Sequence, residues 1–354
     1  MRKTFNIISA ALFFSVTVLF AVGALIFSDE KLILKFDSSF TDRFESYIER
    51  SFPLTANFRS MYSSIITASG QEKIGDVYIS PNGLIEIISK ADERKINERV
   101  DSINAFAERH PDVSCYALIV PTASGIYAEQ LPNIITSLDQ QKLIDDIYYR
   151  LDTSIHTLDA YNPLFQARDD YVYFRTDSRW TEYGAYTVYN KVIKKMGFTP
   201  LSLSSYDMEY ADRDFYGNLY SKTYYKGVRA DFINIFRNKN GSFVTDVKAV
   251  SKDEDFTSVS IYYTPALSSD NKLDVFLGGD SFERYDITTS NTNAPSLLMI
   301  KGSFANMFVP FLTPHYSKIT LIDPDRLDGK TIEDVVDVDS YDQMLILYDM
   351  SRFC

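Results

Sequence analysis

Residues 171–191 read Tyr171-Val-Tyr-Phe-Arg-Thr-Asp-Ser-Arg-Trp-Thr-Glu-Tyr-Gly-Ala-Tyr-Thr-Val-Tyr-Asn-Lys191, and their character changes twice. Residues 171–174 are a β-branched and aromatic run that reads as a strand ending. Residues 175–179 are polar and read as a turn. From Trp180 the spacing of Ala185, Val188, Tyr189, Val192 and Ile193 predicts a helix, closed by Gly197 just beyond Lys194 and Lys195. A polar turn between strand and helix is where α/β proteins place reactive side chains, at the carboxyl ends of their strands.

Strand and helix patterns alternate on both sides of this stretch. Before it come a hairpin over 77–86 turning at Pro81-Asn82-Gly83, an amphipathic helix over 91–110, and a near-continuous apolar strand over 114–122. A second helix over 138–151 and a short strand over 155–158 follow. After it, residues 274–278, 296–301, 319–323 and 344–348 are four strand candidates, with a helix over 305–312 between the second and third. This alternation predicts an α/β fold with a parallel sheet. Residues 200–272 lose the helical period and read as an aromatic, strand-rich insertion, including Phe215-Tyr-Gly-Asn218, that either walls a cleft or covers a sheet edge.

Residues 5–27 carry no charge, and 23 residues of helix span about 34 Å, enough for a bilayer core. Arg2 and Lys3 precede the run and Asp29 and Glu30 follow it, so the positive-inside rule leaves the remaining chain outside the cytoplasm. The competing reading is a cleaved signal peptide ending near Ala21-Val-Gly-Ala24; the length of the apolar run favours an uncleaved signal anchor. The expected division is a cytoplasmic stub and anchor over 1–28, a helical juxtamembrane region over 29–70 and the α/β domain over 71–354. Helical spacing of Phe40, Phe44, Tyr47 and Ile48, then a break at Pro53 and a helix over 56–67, support the middle part.

A net charge of −12 argues against nucleic acid as a partner. Three scattered histidines and two distant cysteines, Cys115 and Cys354, make neither a metal site nor an arguable disulfide, and no glycine-rich phosphate loop follows a strand. Metal and cofactor are therefore not expected. The 25 Tyr and 25 Phe suit an aromatic core or a sugar-facing surface.

The run Tyr173-Phe-Arg-Thr-Asp177-Ser178-Arg179-Trp180-Thr181, followed by Gly184-Ala185, resembles the signature of the bacterial DHHW protein family. That family is similar to the SGNH-hydrolase-like domains of alginate O-acetyltransferases. The resemblance extends from about residue 50 to the C-terminus and includes Val120-Pro-Thr-Ala-Ser124 and Phe215-Tyr-Gly217. It implies a three-layer α/β/α domain behind one membrane helix, with activity on cell-surface polysaccharide. The family's Asp-His-His-Trp is changed here: Ser178 and Arg179 stand at the two histidine positions.

Serine acyl transfer needs a hydroxyl at a strand-to-helix turn, a base for its proton, and donors for the oxyanion. Residues 297–306, with apolar strand, Gly302, Ser303 and then a helix, have that shape. The resemblance matches them to a Lys-Asp-Ser-aromatic-Ala-Asn block with the serine as nucleophile, Gly302 replacing its aspartate. Gly279-Asp280-Ser281 is a competing Gly-Asp-Ser block, too late in the chain for the SGNH order. Asp177 holds the position of the residue that orients the base. Arg179 holds the base position, yet a guanidinium has no acceptor nitrogen and stays protonated at neutral pH. Losing a triad base costs on the order of 10⁴ to 10⁶ in rate. Of the histidines, His110 reads as a helix cap, His156 as a strand residue, and His315 as too far past the turn to reach Ser303.

The expected protein is thus a catalytically impaired, membrane-anchored relative that binds a cell-surface polysaccharide or anionic glycan. Ser303 and Asp177 are its catalytic-position residues, and Arg179, Trp180, Lys301 and Asn306 its binding candidates. The alternative is an active serine O-acetyltransferase or acetylesterase using Ser303.

Overall fold

The computed structural model describes residues 55–241, 243–251 and 255–354, together with Ser15; the anchor expected over 5–27 and the helix expected around 40–48 lie outside the described residues. No helix of the described residues is long and apolar enough to cross a membrane. The chain divides into two compact units, one ending at Gln71 and including Thr223–Lys226, the other holding Glu72–Lys222 and Gly227–Cys354. In the first, the expected helix appears as α1 (Thr55–Ala68), and the Ser63 hydroxyl donates to the Thr223 carbonyl.

The second unit opens with β1 (Lys73–Ile74), β2 (Val77–Ser80) and β3 (Gly83–Glu86), a small antiparallel sheet whose β2–β3 hairpin turns through Pro81-Asn82. Then come β4 (Ser114–Val120), β5 (His156–Asp159), β6 (Tyr206–Phe215), β7 (Asp231–Asn238), β8 (Val244–Val250) and β9 (Phe256–Ser258). The last four are β10 (Arg284–Thr289), β11 (Ser296–Lys301), β12 (Lys318–Ile322) and β13 (Gln343–Asp349). The large sheet runs β5-β4-β13-β11-β12-β10-β8-β9. Its first five strands are parallel, and β10, β8 and β9 extend it antiparallel.

Side-chain alternation along the parallel strands sorts the core into two layers. Cys115, Ala117 and Ile119 of β4, with Leu298 and Ile300 of β11, face α2 (Glu93–Arg109) and α3 (Gln140–Arg150). Tyr116, Leu118 and Val120, with Leu297 and Met299, face α4 (Glu182–Lys195) and the ribbon β6–β7. The molecule is a mixed α/β fold on a large, mostly parallel sheet. Asp92 and Asp139 cap α2 and α3 through their carboxylates.

Three expectations need correcting. Residues 171–174 are no strand; Tyr173 makes one isolated bridge to Trp180, because the chain doubles back within that turn and leaves no edge for a neighbour. Residues 274–278 are also no strand: Lys272–Val275 is a 3-10 turn and Leu277, Gly278 and Gly279 all have positive φ, so the strand is the later β10. The helix over 305–312 is two short pieces, Ser303–Met307 and Val309–Leu312, since Pro310 has no N–H to continue a helical ladder. Asp323, just past β12, is buried in an ion pair with Arg352.

Candidate active site

Thr181 begins the construction. Its N–H donates to the Val172 carbonyl (2.9 Å), and its hydroxyl accepts from Gly184 N–H (3.1 Å), capping α4. A Cβ at Gly184 would run into the Val172 carbonyl, so the helix enters this close only with glycine. The turn 175–179 is thereby fixed at the start of α4. Asp231, the first residue of β7, holds it from the other side, its carboxylate accepting from Arg175 N–H and Thr176 N–H (each 2.8 Å) and from the Thr176 hydroxyl.

Asp177 is 2% exposed. Arg179 grips it at two points, Nε to Oδ1 at 2.7 Å and Nη2 to Oδ2 at 3.0 Å. Two backbone donors complete the set, Arg179 N–H to Oδ1 and Asn218 N–H to Oδ2, each at 3.1 Å. Burial works to raise the Asp177 pKa, but Arg179 and these hydrogen bonds bring it below the usual carboxylate value. The Arg179 guanidinium is held firmly protonated: burial opposes the charge, and Asp177, then Asp280 and Asp274, outweigh it. Asn218 also exchanges two bonds with Ser178, N–H to Oδ1 at 2.9 Å and Nδ2 to Oγ at 2.8 Å. A Cβ at Gly217 would stand 2.5 Å from Asp177 Oδ2, so the ribbon's end can lie on the carboxylate only through a glycine. The aromatic insertion therefore walls this site as well as contributing to the core.

Ser303 follows β11 and is half-buried, and its hydroxyl has no hydrogen-bond partner among the described residues. The two signature blocks meet one residue away: Trp180 Nε1 donates to the Phe304 carbonyl at 2.9 Å, and the indole lies against Phe304 and Phe308. Lys301 and Asn306 turn toward the other Gly-Asp-Ser block. Lys301 Nζ donates to Asp280 Oδ1 (2.5 Å) and Asn306 Oδ1 (2.8 Å), and Asn306 Nδ2 donates to Asp280 Oδ1 (2.9 Å). Segments that compete for one role on sequence grounds are neighbours here. Ser281 itself is exposed.

Several expected roles change accordingly. Trp180 is fully buried and offers no face to a ligand; it is packing. Lys301 and Asn306 are spent on the Asp280 loop. Arg179 has its fork spent on Asp177, and Asp280 and Asp274 are further carboxylates whose charge acts on it. The histidines are elsewhere. His110 caps α2 and pairs Asp339 through Nδ1 (2.7 Å), and His156 is an exposed strand residue against Tyr116. His315 Nε2 is 2.7 Å from the Tyr189 hydroxyl, and burial pushes its pKa down to about 4, so it stays neutral. No group of metal-ligating side chains occurs among the described residues. Asp231, Asn218 and Asp280 were not expected as parts of the site. Asn218 and Asp280 each follow a glycine in quoted motifs, whereas Asp231 carries no local signal.

A family model described as DHHW protein matches residues 61–322. No curated protein matches by sequence. Among solved structures, a DHHW family protein from Eubacterium siraeum shares 22% identity at TM-score 0.68, over 78% of this chain and 91% of its own. Bacillus cereus PatB1 bearing a sulfonyl adduct shares 15% identity at TM-score 0.67, over 78% of this chain and 95% of its own. At these identities the likeness shows the fold.

Proposed function

The chain belongs to the DHHW protein family, and from that premise we propose that it is a membrane-anchored, extracytoplasmic protein that binds a cell-surface polysaccharide on an SGNH-like scaffold whose serine chemistry is disarmed. One observation carries this: the base position holds Arg179, whose guanidinium is locked onto Asp177 at 2.7 and 3.0 Å. A guanidinium cannot take the Ser303 proton, and Asp177 has its lone pairs filled. His110 and His315 have other hydrogen-bond partners, and His156 lies exposed on β5 against Tyr116. The fold's likeness to PatB1, which carries a sulfonyl adduct in one structure, keeps nucleophile chemistry as the comparison point.

The binding surface is the rim made by Tyr216 and Tyr220, whose ring centroids are 4.5 Å apart next to Gly217-Asn218. Tyr216 is 38% exposed, and an aromatic face suits the C–H face of a sugar ring. Excess carboxylate at Asp177, Asp274 and Asp280 selects a neutral glycan over an anionic one.

The test combines nitrophenyl acetate turnover, labelling with a sulfonyl fluoride, and co-sedimentation with insoluble neutral polysaccharide. The native chain is expected to show no turnover and no adduct at Ser303, and glycan retention that falls in Tyr216→Ala. Combining Arg179→His with Gly302→Asp is expected to bring labelling back. A Cβ at 302 sits 3.3 Å from Arg352 Nη1 and 3.5 Å from Asp349 Oδ2, so a carboxylate there meets a cation and a second carboxylate. Native turnover that disappears in Ser303→Ala overturns the proposal.

A further inference from the structure

A cavity lies on the opposite face of the sheet from α4, between α2 and residues 324–333. Its volume is about 360 Å³, which at the ~30 Å³ of one water holds roughly a dozen such groups. Its apolar wall includes Ile103, Phe106 and Ile332, and its floor is Ile300, Ile346 and Tyr348. The charges at its rim are Arg99, Arg109, Lys330 and Glu333. Arg109 is paired with Glu333 at 2.6 Å, and Lys330 with Glu283 at 3.2 Å. Arg99 has no carboxylate partner among the described residues; its guanidinium lies over the Tyr348 ring, 5.5 Å from the centroid. A basic rim is conspicuous on a chain whose net charge is −12.

We propose that this cavity binds a small amphipathic monoanion, a carboxylate with a short acyl body, its head paired with Arg99 and its chain laid against Ile103, Phe106 and Ile332. Charge complementarity fixes the head group, because Arg99 is the cation not already paired. The apolar wall fixes the body, and the volume limits its length. Neither the Ser303 region nor the glycan rim takes part, so this site stands or falls by itself.

The experiment is calorimetric titration of the full chain in amphipol with hexanoate, and with hexanamide as the uncharged match. Saturable hexanoate binding is expected, weakened about ten-fold or more by hexanamide's loss of charge and by Arg99→Gln, the scale of one charge-assisted hydrogen bond. Arg99→Lys is expected to retain part of it, and Ser102→Trp, at the mouth, to block it. Melting curves identify any variant that has lost its fold, and Ser102→Trp then decides. No saturable binding at millimolar hexanoate overturns the proposal, as does binding that Arg99→Gln leaves unchanged.

Discussion

Replacing Arg179 with alanine strands a carboxylate in the core. Asp177 would lose the bonds at 2.7 and 3.0 Å and keep only the N–H donors of Arg179 and Asn218. Removing one partner of a buried pair costs about 3–5 kcal/mol. The two surviving donors and the 19% exposure of the Arg179 side chain put this case at the low end, about 3 kcal/mol. That corresponds to a melting temperature lower by about 6 °C. The pH dependence discriminates further. With its folded pKa below the unfolded value of about 3.9, native Asp177 contributes stability above that value and loses it as pH falls through the folded pKa. In the variant burial dominates and raises the folded pKa, so acid relieves the unpaired charge. The gap between the two proteins should be widest near pH 7 and shrink toward pH 4. Thermal unfolding at both pH values measures it. A gap of less than about 1 kcal/mol at pH 7, as for an exposed pair, or one that does not shrink in acid, refutes the reasoning.

Three further outcomes are expected. Burial pushes the Glu182 carboxyl up to about 8 against hydrogen bonds that lower it, so its folded pKa exceeds the unfolded value of about 4.3. Its contribution is complete below that value and lost as pH rises through about 8. Melting curves at pH 5 and pH 9 should therefore diverge in the native protein and converge in Glu182→Gln; equal slopes in both count against it. Gly217→Ala forces a methyl to within 2.5 Å of Asp177 Oδ2 and should cost about 1–3 kcal/mol, read by denaturant unfolding, with an unchanged midpoint as the contrary result. Ser303→Ala removes a hydroxyl that bonds nothing among the described residues and should shift stability by no more than about 0.5 kcal/mol; a larger loss would mean the hydroxyl is structural.

The elements most legible in the sequence were those with a clean period. β4 is an apolar run because both its faces are covered, and α2 shows its stripe because only one face is. Asp177 and Ser303 were legible as positions because each lies in a turn that opens a helical segment, although only Ser303 follows a strand. Their partners were not. Nothing near Asp231 marks it as the carboxylate that holds 175 and 176, since that contact depends on how a distant ribbon docks. The two Gly-Asp-Ser-like blocks read as rivals because sequence order cannot show that Lys301 and Asn306 reach across to Asp280. Trp180 looked like a ligand-facing aromatic for the same reason: a motif position gives identity, while burial comes only from packing.

The chain has a single tryptophan, and it sits sealed at the joint between the two signature blocks. Its emission is therefore a built-in optical gauge of that joint, undiluted by any other indole. Whatever pries the Phe304 carbonyl from the ring nitrogen, whether heat, denaturant or a docking sugar, should register as a red-shifted spectrum without any attached dye.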